Sequence, residues 1–208
     1  MDTRENLAVL LATMDEFFHD LSRIIVAVDQ RLRDNSFVAI GDTAVFQDVS
    51  AAFDRSSRWF PKYLARAYVK GKKPNRVIGY CIHLGPYSDP TTVAYLDKSK
   101  LELPFVSLAC LRDMQPGPLE VDRRQIWDRL WDSGWWATYE DHVSGSLRTY
   151  NTTRAISGFQ ATIVGTLADL FPLEDTTVVT QRIVTPLRLL YEDRNAELNP
   201  SLPLPTRS

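Results

Sequence analysis

The sequence predicts an α+β fold: a single domain in which an antiparallel β-meander sheet is packed by a long N-terminal helix and by C-terminal helices. Three observations carry this. Apolar residues from Leu7 to Leu32 recur at a helical period. From Lys62 the pattern changes to short segments rich in Val, Ile, Tyr and Phe, separated by turn residues. Helical spacing then returns in the last third. Nothing in the 208 residues reads as a linker, so residues 1–195 are expected to form one domain, followed by a Pro-rich flexible tail at 196–208.

The first helix is read over Thr3 to Arg33. Its apolar residues Leu7, Leu10, Leu11, Met14, Phe17, Phe18, Leu21, Ile24, Ile25, Val28 and Leu32 fall into three series, each repeating every seven residues. Asp2 or Thr3 can cap it, Glu5 suits its first turn and Asn35 can end it. At ~1.5 Å per residue it is roughly 45 Å long, so it crosses the molecule or protrudes from it. Three series are wider than the two-series seam of a coiled coil. The sheet is therefore expected to cover most of the stripe, the alternative being a stripe shared with a second chain.

Phe37–Ile40 and Ala44–Phe46, around Gly41-Asp42, predict a tight hairpin. Asp48 to Arg58 is helical in tendency until Pro61. Strands are then expected at Lys62–Val69, Arg76–Leu84, Thr92–Leu96 and Pro104–Arg112, joined by stretches too short for crossover helices. That spacing predicts a meander of four or five strands. Gln115–Pro118 closes it, and a helix follows from about Val121 to Ser133, with Trp127, Leu130 and Trp131 facing inward. Ala137 to Asn151 is ambiguous. Ile156, Phe159, Ile163, Leu167 and Leu170 are spaced by three or four, which predicts a helix ended by Pro172. A last helix runs from Asp175 to about Asp193, with Pro186 expected to kink it.

No phosphate-binding glycine loop, zinc-protease motif or nucleophile-elbow motif occurs. Cys81 and Cys110 lie in apolar runs and are expected to be free core thiols; with the three histidines far apart, neither a metal nor a cofactor is expected. The possible catalytic groups are His142 with the strand-end carboxylates Asp89, Asp97 and Asp113, and a Cys81 and His83 pair sharing one strand face. Lys70, Lys72, Lys73 and Arg76 form a basic loop that suits phosphate, with Tyr63, Tyr68 and Tyr80 as stacking partners. Trp135 and Trp136 are consecutive and cannot both enter one core, which marks them as a partner contact.

A net charge of −2 gives no bulk attraction to polyanions. No apolar run suits a signal peptide or a membrane span, so a cytoplasmic chain without membrane contact is expected. The functional expectation is an interaction or accessory subunit of a cytoplasmic complex, acting through a protein partner. The alternatives are a hydrolase with a dispersed His/Asp site and a nucleic-acid or nucleotide binder using residues 70–76. Whether the chain is an enzyme stays open.

Overall fold

The computed structural model describes residues 3–42, 44–47, 61, 63–72, 74–84, 104–131, 142–144, 147–152, 158–170 and 176–198. Helix α1 spans Thr3–Asp34 and is followed by strands β1 (Phe37–Ala39), β2 (Phe46–Gln47), β3 (Tyr63–Lys70), β4 (Val77–His83) and β5 (Phe105–Gln115). Helix α2 (Arg123–Trp131) precedes β6 (His142–Ser144), β7 (Leu147–Thr152) and β8 (Gln160–Asp169). The last helical segment is α3 (Thr176–Val179), a π-helical turn (Thr180–Val184) and α4 (Thr185–Tyr191). The fold is α+β, with one antiparallel sheet.

Among the described residues the sheet has eight strands in the order β1-β3-β4-β5-β8-β7-β6, with β2 also on β3. Six of these strands form two three-strand meanders, β3-β4-β5 and β6-β7-β8, joined where β5 pairs with β8 from Phe105↔Asp169 to Gln115↔Gln160. This is larger than the four or five strands expected. The expected strand Thr92–Leu96 lies outside the described residues, and β4 pairs directly with β5.

Two local expectations are corrected. Phe37–Ala39 and Phe46–Gln47 do not pair with each other as a hairpin; both pair with β3, at Phe37↔Lys70 and Phe46↔Ala65. Gly41 (φ 84°) and Asp42 (φ 56°) instead form a turn that loops out of one interrupted edge strand, closed by Ala44 N–H donating to the Gly41 carbonyl at 3.0 Å. A side chain at position 41 would sit 3.1 Å from the Trp127 ring, so the turn needs glycine for space as well as conformation. The helix expected through Ile163 and Leu167 is strand β8. Residues 161, 163, 164, 165, 166, 167 and 168 are all buried, because β8 is central and covered on both faces.

Alternation along the strands gives the sheet two apolar faces. Leu64, Tyr68, Ile78, Tyr80, Ile82, Val106, Leu108 and Val164 meet Leu21, Ile25, Val28 and Leu32 of α1, together with Val179, Ile183, Leu187 and Leu190 of the last helical segment. Ala67, Val69, Val77, Ala109, Leu111 and Ile163 meet Ile126, Trp127 and Leu130 of α2. Trp127 is buried and stacks on Phe46 at 5.0 Å. Cys81 and Cys110 are free and fully buried.

Helix α1 ends as its last turn predicts. Asn35 N–H donates to Leu32 O, its side-chain amide donates to Arg31 O at 2.7 Å, and Ser36 takes the left-handed conformation (φ 66°) that stops a helix. Near the C-terminus, Pro186 leads to a widened turn more than to a break. Pro186 has no N–H to bond back to the preceding turn, and just ahead of it Thr185 N–H bonds to Thr180 O, five residues back.

Candidate functional site

The N-terminal half of α1 is the most unusual surface. From Thr3 to Glu16 every residue except Met14 is exposed. The buried residues Leu21, Ile25, Val28 and Leu32 alternate by four and three, and Phe18, Met14, Leu11 and Leu7 continue the same alternation toward the N-terminus. Leu10 and Phe17 run alongside. Leu7, Leu10 and Leu11 are 55%, 56% and 55% exposed, while Phe17 and Phe18 are half-buried against the sheet-side core. One apolar stripe therefore leaves the core and runs on uncovered. The expectation that the sheet covers most of it fails, because packing against the core stops at Phe17 and Phe18. Single exposed leucines are common on proteins; three on one face of one helix are not.

Beneath the covered half of α1 lies a buried ionic cluster that sequence reasoning missed. Arg66 is 2% exposed. Its Nη2 donates to Asp29 Oδ2 at 2.5 Å, its Nε to Asp29 Oδ1 at 3.2 Å, and its Nη1 to Ala44 O at 2.6 Å. The Tyr68 hydroxyl donates to the same Asp29 carboxylate. Burial works against the Arg66 charge, but the bonds to Asp29 and Tyr68 outweigh it and hold its pKa above the ordinary value. Burial, and after it the Asp29 bond and charge, push the Tyr68 hydroxyl up. The cluster clamps α1, the Gly41 turn and β3 together. Its sequence signal was an arginine at an inward position of an otherwise apolar strand, KYLARAYV.

Of the expected catalytic residues, Cys81 and His83 do share one face of β4, yet their partner is Ser107 on β5. His83 Nε2 lies 2.8 Å from Ser107 Oγ, which donates to Cys81 O at 3.4 Å. His83 also stacks on Phe105 with ring centres 4.4 Å apart. His83 and Ser107 are each 2% exposed and Cys81 is fully buried. Burial lowers the His83 pKa to about 3 and pushes the Cys81 thiol well up. A neutral imidazole and a protonated thiol out of reach of solvent are poor groups for general-base or nucleophilic chemistry. Asp113 is exposed, in the left-handed conformation (φ 54°) at the β5 bulge. The His142 backbone forms β6, paired at Thr149; its side chain, with Asp89 and Asp97, lies outside the described residues.

The basic loop is partly committed elsewhere. Arg76 donates to Tyr191 O at 2.6 Å and reaches Asp193 at 2.8 Å. Arg112 reaches the other Asp193 oxygen at 2.6 Å and donates to Leu190 O at 2.5 Å. Together these arginines satisfy the carbonyls at the end of α4 and hold it to the sheet. Lys70 Nζ sits 5.1 Å from the centre of the Phe37 ring, and Lys72 is exposed. Tyr63, Tyr68 and Tyr80 are buried and offer no stacking surface to a nucleic acid. Lys73, Trp135 and Trp136 lie outside the described residues. Among the described residues no group of three or more His, Cys, Asp and Glu side chains could hold a metal, and no helix is long and apolar enough to cross a membrane. The chain matches no family model, and no curated protein or solved structure is significantly similar to it.

Proposed function

We propose that this chain is an interaction subunit that joins a protein complex, in the cytoplasm, by docking the exposed half of α1. The supporting observation is the uncovered stripe Leu7, Leu10 and Leu11, which with the half-buried Met14 prolongs the core-facing line of the helix beyond its packed residues. The arm continues the packed half of α1 but makes little tertiary contact of its own, so its helix rests on that continuity. A partner that covers the stripe removes apolar area from water and stabilises the arm in one step. The two buried free thiols accord with a reducing compartment.

The test is the triple substitution Leu7→Ser, Leu10→Ser, Leu11→Ser. The expected protein melts as the wild type does, because these residues lie outside the core. A photoreactive side chain at position 3, four residues before Leu7 and on the stripe side of the helix, crosslinks to protein in cells carrying the native stripe and loses that crosslink with the triple variant. A variant that unfolds, or a crosslink indifferent to the three serines, refutes the docking function.

A further inference from the structure

We infer that the occupant of the arm is a second copy of this chain, docked antiparallel, a proposal that rests on the interaction reading above and names its partner. The reason is the charge placed beside the stripe. Arg4 lies seven residues before Leu11, and Asp15 four residues after it, so both fall on the same flank of α1, three helical turns apart. Both are exposed. In a parallel pair the two-fold axis runs along the helices and puts this flank of the two copies on opposite sides of the seam, so Arg4 and Asp15 would find no partner across it. A two-fold axis near residue 9 instead sets Leu7 of one copy against Leu11 of the other and brings Arg4 of each beside Asp15 of its mate. Every contact is then made twice, as an isologous interface requires.

The length also suits this register. Overlap from Thr3 to Asp15 is thirteen residues on each side, ~20 Å at ~1.5 Å per residue, and leaves the two sheets at opposite ends of the paired arms. The shared area is small beside the ~1,200–2,000 Å² of a stable interface, so the pair is a concentration-dependent dimer and not an obligate one.

Sedimentation equilibrium across about two decades of concentration in the micromolar range reads it. The wild type is expected to move from monomer to dimer, and Leu7→Ser with Leu11→Ser to remain monomeric with an unchanged melt. Arg4→Asp and Asp15→Arg each weaken the dimer by about tenfold or less, as exposed ion pairs do, while the double reversal restores it. Restoration identifies the antiparallel pairing. A dimer indifferent to the serines or to the charge reversals overturns it. So does a wild type that stays monomeric throughout, and hydrogen exchange of the arm then separates the two readings. Freely exchanging arm amides leave the interaction function standing with a different partner. Protected arm amides in a monomer mean that the chain covers its own stripe, and both readings fall.

Discussion

His83 should make this protein acid-sensitive, and the size of the effect follows from its burial. The imidazole is 2% exposed, stacked on Phe105 and bonded to Ser107, and its pKa falls from 6.5 to about 3 because burial disfavours the charged ring. Above pH 6.5 both the folded and unfolded chains hold the ring neutral and the full stability is present. As pH falls below 6.5 the unfolded chain takes up a proton that the folded chain refuses, so stability is lost progressively until about pH 3, where the folded ring also titrates. At ~1.36 kcal/mol per pH unit the whole interval amounts to at most about 5 kcal/mol, and the first two units to about 2–3 kcal/mol. Against a net stability of ~5–15 kcal/mol that is enough to shift the unfolding midpoint visibly. Carboxylates also titrate in this window, so the measurement is a difference. Urea unfolding of the wild type and of His83→Gln is followed from pH 7.5 to pH 4, and the loss of the Ser107 contact enters as a constant offset. The wild type should lose ground to the variant below pH 6.5, with a slope approaching ~1.36 kcal/mol per pH unit. Parallel stability curves, or an NMR titration of His83 near 6.5 in the folded protein, would refute the reasoning.

Two further outcomes test the fold. Gly79→Ala should cost ~1–3 kcal/mol in chemical denaturation, because its Cβ would stand 2.4 Å from Leu130 Cδ1 and 2.7 Å from the Arg66 carbonyl, and the second is backbone that cannot rotate away. An unchanged midpoint would mean that α2 is not seated against β4. Asp29→Ala should cost ~3–5 kcal/mol by leaving the Arg66 guanidinium buried and unpaired, whereas Asp29→Ala combined with Arg66→Met should recover much of that loss. Equal melts for the single and double variants would show that the cluster is not a closed ion pair.

The sequence was a sound guide where the period or the composition of a segment pointed one way. α1 has a polar back, so its period of 3.6 stood out from Leu7 to Leu32 and its ends fell within a residue or two of those observed. The strands β3, β4 and β5 were legible from their Val, Ile and Tyr content and from the turn residues between them. β8 was not legible. Like β3, β4 and β5 it is covered on both faces, but in its run the spacing of Ile163, Leu167 and Leu170 matches a helix by coincidence. Its Thr162, Ile163, Val164 and Thr166 were the β-branched signal to weigh against that spacing.

Of the candidate site, the stripe itself was present in the sequence, but its exposure was not. Residues seven apart on a helix are equivalent to any pattern analysis, so Leu7 and Leu21 look alike. Leu7 is 55% exposed and Leu21 is 2% exposed because only Leu21 packs against the core. The same limit hid the pairing of His83 with Ser107 and of Asp29 with Arg66, partners 24 and 37 residues apart whose meeting depends on strand register and on how α1 lies across the sheet. Local spacing identified α1 and its apolar face, and composition identified β3, β4 and β5. The long-range packing alone decided which apolar residues were left for a partner.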